Sequence, residues 1–219
     1  MTDELDRRLT RQGQERKQQL LEQASRLFAE RGYAETRVID IVHAAGVAKG
    51  LFYWYFENKE AVFRELVEMS RQQMRQNQAL AIDPTASPLV RIRQGAEASI
   101  VFMSEHRRLY SMFDLESLDP KLTALLRQGG DVHAHDTAHH IRQGIEQGEI
   151  RDEDPLMLAW GIVGAVSSYS HLHRTGRLEG PLEEIAAFAG RFVVYTLAAS
   201  DDVARDACAA PGAGLAARS

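Results

Sequence analysis

The chain has 219 residues, 44% of them hydrophobic and 26% charged, and a net charge of −5 at neutral pH. That size and composition suit a globular protein of one large or two small domains, and the negative net charge excludes one that coats nucleic acid indiscriminately. The single cysteine, Cys208, excludes a disulfide framework or cysteine-based zinc site within one chain and, with a polar N-terminus, points to the reducing cytoplasm rather than to secretion.

The charge is unevenly spread. Residues 1–60 carry ten basic and ten acidic side chains, so the deficit lies wholly beyond them. Over residues 7–17, Arg7, Arg8, Arg11, Arg16 and Lys17 face a single acid, Glu15. A flexible basic arm over residues 1–15 suits a localised anionic partner; the alternative is a solvated, frayed terminus. Helical periodicity then runs through the chain. Leu20, Leu21, Ala24, Leu27 and Phe28 mark a first helix closed by Gly32. Val38, Ile41, Val42 and Ala45 mark a short second one with Thr36 as N-cap, and Gly46 supplies a tight turn. A third helix covers residues 48–56. Asn58 caps a fourth, with Val62, Leu66 and Met69 inward, running to about residue 78.

The third helix is the informative one. Residues 52–56 are five consecutive aromatics, F-Y-W-Y-F. Successive side chains step by about 100° around a helix, so five in a row cannot share one face. Phe52, Tyr55 and Phe56 fall on one side; Gly50, Tyr53 and Trp54 fall on the other. Gly50 costs about 1 kcal/mol relative to Ala inside a helix, which suits the close approach of another backbone, DNA or a neighbouring helix. Two short helices joined by a Gly turn, the second with exposed aromatics, form a helix-turn-helix that fits one major groove. Tyr53 can donate to a phosphate oxygen, and Lys59, in the first turn of the next helix, suits an anion bound at that helix start.

The segments F-A-E-R-G-Y (residues 28–33), I-V-H-A-A-G-V-A-K-G (residues 41–50) and F-Y-W-Y-F-E-N-K-E (residues 52–60) resemble the signature of the TetR family of bacterial transcriptional repressors. The resemblance covers about residues 17–66. It implies an all-α homodimer, with a three-helix DNA-binding head over residues 16–60 and a larger helical body that binds a small-molecule effector and dimerises. It also implies a palindromic operator in double-stranded DNA. By motif match, Lys49, Gly50, Leu51, Tyr53, Trp54 and Lys59 are the DNA-contacting positions, joined by Thr36 and Arg37 at the start of the second helix. Two positions depart from the family pattern: Arg37 replaces a usual Ser or Thr and can reach a phosphate, and Leu51 replaces a small hydroxyl residue and offers only apolar contact.

Beyond a break at residues 81–88, helices are expected near 88–104, 106–117, 120–147 (interrupted at Gly129-Gly130), 155–175 and 181–199, making a body over residues 61–200. Residues 156–173 contain no charged side chain, yet Ser167, Ser168, Ser170, His171 and His173 fill their second half. A packed helix is expected there, not a membrane span. With the charge-poor helix near 182–199 it is expected to form a four-helix dimer interface. Phe102, Met103, Tyr110, Met112, Phe113, His133, Trp160 and Tyr169 are the effector-contact candidates. His133, His135, His139 and His140 raise the alternative of a metal-sensing regulator or metal-dependent enzyme, since His135 and His139 are one turn apart. No cofactor, metal site or catalytic motif is otherwise expected. Residues 201–219, rich in Ala, Gly, Asp and Pro, read as a disordered tail.

Overall fold

The computed structural model describes residues 11–113 and 120–214. Residues 1–10 of the basic arm, the end of the helix expected over 106–117, and residues 215–219 of the tail lie outside them. Among the described residues there are ten helices: α1 Arg11–Arg31, α2 Val38–Ala45, α3 Lys49–Tyr55, α4 Lys59–Ala81, α5 Pro88–Glu105, α6 Arg107–Ser111, α7 Pro120–Glu146, α8 Pro155–Arg174, α9 Leu182–Leu197 and α10 Asp201–Ala209. No strand occurs among them, only an isolated antiparallel bridge between Ile150 and Ala198. No helix among the described residues is long and apolar enough to cross a membrane.

The chain divides into two compact units. The first holds α1 to α3, α4 as far as Ser70, and residues 108–113 and 120–125. Its centre is built from the inward stripe of α1 (Leu20, Ala24, Leu27, Phe28), Ile41 and Val42 of α2, Phe52 of α3, and Val62, Phe63 and Leu66 of α4, all buried. The boundary thus falls inside α4, where the sequence pattern suggests residue 60. Asn58 caps α4 as expected, its Oδ1 accepting the Ala61 N–H at 2.9 Å.

The second unit holds residues 71–107 and 126–214. Its axis is α5, buried on nearly every side and packed on α8 and α9. Leu89, Ile92, Ile100, Ala134, Ala138, Ile141, Val166, Val193 and Leu197 belong to one continuous apolar core.

Two sequence expectations are corrected here. The tail is not disordered from residue 201: Asp201–Ala209 form α10, with Ala204 and Ala207 buried. Its start is a capped one, Ser200 Oγ accepting the Val203 N–H at 3.3 Å with Asp201 and Asp202 in the first turn. Alanine-rich composition reads as low complexity, but alanine is the strongest helix former. Second, α7 runs unbroken through Gly129 and Gly130. A Cβ on Gly129 would overlap the Arg71 guanidinium, and the Trp160 ring lies 3.5 Å from where one on Gly130 would stand. The two glycines leave room for side chains there instead of ending the helix.

Candidate nucleic-acid interface

The α2–turn–α3 geometry follows from local chemistry. Gly46 takes the left-handed conformation, φ 63° and ψ 32°, which a side chain would strain. Its N–H donates to the His43 carbonyl at 3.1 Å and the Val47 N–H to the Val42 carbonyl at 3.2 Å, closing the end of α2. α3 begins at Lys49 and stops at Tyr55; Phe56, expected inside the helix, is extended at φ −135° and ψ 127°. The rings divide between the two faces. Phe52 and Phe56 are buried, 5.8 Å apart between centroids. Tyr55 is half-buried and its hydroxyl donates to the Gly13 carbonyl at 2.7 Å, fastening the first turn of α1 to α3. Tyr53 and Trp54 are 51% and 56% exposed.

Beside them Lys49 is exposed, its ammonium 5.9 Å from the Tyr53 ring centroid. Gly50 is exposed, and among the described residues no atom beyond its chain neighbours and its own helix backbone lies within 4 Å of where its Cβ would stand. Of the two explanations for a glycine here, packing of a neighbouring helix in this chain is therefore removed. Leu51 is half-buried, at the edge of the two faces.

The start of α2 differs from expectation. Thr36 is fully buried, and its hydroxyl donates to the carbonyls of Gly32 at 2.8 Å and Leu27 at 3.3 Å. It is neither the N-cap nor available to a partner molecule; it closes the turn after α1. The N-cap is Arg37. The Asp40 carboxylate accepts the Arg37 backbone N–H at 3.0 Å and the guanidinium at 3.1 Å. The guanidinium bond, then the backbone bond, pull the Asp40 carboxyl down to about 2, and Asp40 in turn raises Arg37. The exposed Arg37 side chain thus carries its own counter-ion.

Lys59 also has a local task. Its ammonium donates to the carbonyls of Tyr33 at 2.5 Å and Ala34 at 3.2 Å, and lies 4.1 Å from the Tyr33 ring centroid. It ties the start of α4 to the turn after α1. Sequence reasoning missed this role, and that of Tyr55, because both depend on contacts more than twenty residues away.

The effector candidates fall in both units. In the first, Tyr110 and Phe113 stand 5.6 Å apart, Tyr110 bonds the Ser70 hydroxyl at 3.1 Å, and Met112 is buried. In the second, Phe102 is buried and stacked on His106 at 4.0 Å, while Met103 and His133 are half-buried. Burial pushes the His133 imidazole below its ordinary value. Trp160 is exposed, and Tyr169 packs against Phe188 and Phe192, which are themselves exposed. None of the eight lines the open groove of about 470 Å³ walled by Leu80, Ile82, Val90 and Pro211. Among the described residues no three His, Cys, Asp or Glu side chains are grouped to hold a metal ion. His135 bonds the Asp131 carbonyl at 2.7 Å and His139 meets Gln143 at 3.3 Å. The geometry lends the metal alternative no support.

The family profile described as "Bacterial regulatory proteins, tetR family" matches residues 20–66, the stretch that builds α1 to α4 of the first unit. The regulator AcrR of Shigella flexneri is 39% identical over 64 residues, covering 29% of this chain and 30% of that protein. The likeness to the repressor KstR2 of Mycobacterium tuberculosis extends into the second unit: 29% identity over 167 residues, 71% of this chain and 80% of that protein. The structure of KstR2, described as a ketosteroid transcriptional regulator, superposes with a TM-score of 0.64 at 25% identity over 84% of this chain and 95% of its own. SmeT, the repressor of the Stenotrophomonas maltophilia multidrug efflux pump SmeDEF, shares the fold with a TM-score of 0.70 at 22% identity, covering 85% of this chain and 92% of its own. Helix-turn-helix geometry, an outward aromatic face and these matches converge: residues 20–66 are a DNA-binding domain of the tetR family of bacterial regulatory proteins, and the rest of the chain is similar to the bodies of such regulators.

Proposed function

We propose that this DNA-binding regulator is a repressor that holds a palindromic operator through the outer face of α3 and is released from it by a small apolar or aromatic effector. The carrying observation is the pairing of two half-exposed aromatics, Tyr53 and Trp54, with Lys49 and an open Gly50 on one face of α3. Exposed rings cost hydration with no return in the free protein; against DNA they pack on sugars and thymine methyls while Tyr53 donates to phosphate. Lys49 and Arg37 supply phosphate contacts, Gly50 lets the α3 backbone approach the groove, and Leu51 meets an apolar base edge. Lys59 contributes by holding α4 to the turn after α1. Thr36 supports the turn and makes no contact with DNA.

Dimerisation is assigned to α8 and α9. Met157, Gly161, Gly164 and Ser168 repeat at helical spacing on the exposed side of α8, and Phe188, Phe192 and Tyr195 do so on α9. Such a stripe on two adjacent helices suits a four-helix contact about a twofold axis. Trp160 and Tyr169 belong better with this face than with an effector site. Phe102, Met103 and His133 are left as effector contacts in the body, with Tyr110, Met112 and Phe113 as further candidates. Apolar effector chemistry is supported by the KstR2 likeness. The protein is expected to act in the cytoplasm, where the operator is.

Tyr53→Ala tests the reading. Binding to the DNA upstream of its own gene, followed by fluorescence anisotropy at fixed salt, is expected to weaken by roughly tenfold or more with an unchanged melting temperature. Equal affinity for both proteins would overturn the assignment of this face.

A further inference from the structure

Within the second unit, α5 buries the large polar side chains of Arg93, Gln94 and Glu97 along with two serines, Ser99 and Ser104. Arg93, Gln94 and Glu97 are 5%, 3% and 4% exposed. Arg93 Nη1 stands 3.3 Å from Glu97 Oε1. A buried ion pair is costly to desolvate and persists only where its other donors and lone pairs are matched. Here the groups that match Arg93 Nη2 and Glu97 Oε2 are main-chain atoms just past α10, while Arg93 Nε is buried without a hydrogen bond among the described residues. Arg93 Nη2 donates to the carbonyls of Ala210 at 2.8 Å and Pro211 at 2.6 Å. Gln94 Nε2 donates to those of Pro211 at 3.1 Å and Gly212 at 3.4 Å, while its Oε1 accepts the Asp83 N–H at 2.9 Å. Glu97 Oε2 accepts the Ala213 N–H at 2.8 Å, and the Gly214 N–H donates to the Ala81 carbonyl at 2.9 Å.

Every one of these bonds to the segment ends on its backbone, so side-chain identity enters only through size. A Cβ on Gly212 would stand 3.2 Å from Glu97 Oε2. On the other side of the carboxylate, a Cβ on Gly190 of α9 would stand 2.5 Å from Oε1. Small residues on both flanks are what let the carboxylate sit between α9 and the C-terminal segment.

We propose that Arg93, Gln94 and Glu97 form a binding slot for an extended peptide of small residues, filled in this chain by its own Ala-Pro-Gly-Ala segment at 210–213. The arrangement is that of peptide recognition: three successive carbonyls and the following N–H of the strap backbone meet a guanidinium, a carboxamide and a carboxylate that are fixed in place on one helix. With the slot filled, Glu97 is held against Gly190, so the strap also fixes the seat of α9.

The test uses the full-length chain with Gly212→Val, which crowds the strap and leaves the slot residues intact. A fluorescein-labelled peptide carrying residues 209–219 is expected to bind this variant at least roughly tenfold more tightly than the wild type, whose slot is occupied. The peptide bearing the same Gly212→Val change is expected not to bind. In the wild type, hydrogen exchange at the Ala213 and Gly214 amides is expected to be slowed, and in the variant to rise by roughly tenfold. Should Gly212→Val fail to fold, Ala213→Pro, which removes the N–H given to Glu97, takes its place. Equal peptide binding to variant and wild type, binding to neither, or wild-type amides at 213 and 214 exchanging at the free-peptide rate would each overturn the slot. None of these readouts involves DNA, so the result is independent of the operator reading.

Discussion

The hydroxyl of Thr36 gives its proton inward, to the carbonyls at the end of α1, and that determines what the residue does. Thr36→Val keeps the shape and removes the donor. Buried polar groups left without a partner cost about 1–3 kcal/mol, so thermal unfolding is expected to show a loss of that size. Operator affinity measured well below the melting temperature is expected to stay at the wild-type value. Asp40 acts at the surface and through charge. Its folded-state pKa of about 2 lies below the ordinary 3.8. A depressed carboxyl stabilises the fold above its unfolded value and loses that contribution as pH falls through the folded one. The cap on α2 is therefore intact at neutral pH and weakens between roughly pH 4 and 2. Carbon-13 NMR titration of the Asp40 carboxyl is expected to give the low value in the wild type and one near the ordinary range in Arg37→Ala. The same midpoint in both proteins would remove Arg37 as the cause. The aromatic run was legible in the sequence because a fixed 100° step decides which rings go inward. The tasks of Thr36, Lys59 and Tyr55 were not, because each is set by a backbone carbonyl brought in from elsewhere in the chain.

Helices differ in how openly the sequence announces them. α1 and α4 carry regular apolar stripes, and caps at Asn58 and Asp154 mark the starts of α4 and α8. α7 carries two adjacent glycines that weaken a helix by about 1 kcal/mol each, and it continues regardless. Side chains pressed against the glycine surface offset that penalty. The two positions are not equivalent. A Cβ on Gly130 would meet the Trp160 ring at ordinary contact distance, 3.5 Å. Gly130→Ala is thus expected to stabilise the protein by about 0.5–1 kcal/mol, read as a rise in the denaturant midpoint. A decrease would mean that the ring cannot accept the methyl group. α10 was illegible for the opposite reason: its alanines form helix readily, but their composition matches that of an unfolded tail. Only its Ser200 cap and acidic first turn distinguish the two.

At the scale of the whole molecule the question is how a recognition helix of seven residues gains useful affinity. One such helix makes few phosphate contacts, and each neutralised phosphate contributes a slope of about −0.9 to the dependence of log affinity on log salt. Joining two copies doubles those contacts on a palindrome without adding a residue, because the second head binds at a high effective concentration. The exposed rings of α9 are where that joining is assigned. Phe192 is 48% exposed in the single chain and packs only against Tyr169 among the ring contacts described. Phe192→Asp therefore costs the monomer little, but places a carboxylate in the apolar centre of a pair. Sedimentation is expected to give a monomer at concentrations where the wild type is a dimer. Operator affinity is expected to fall by more than roughly tenfold, with the salt slope reduced to about half. A variant that stays dimeric would move the interface elsewhere, and a monomer with undiminished affinity would show that the operator is read by one head alone.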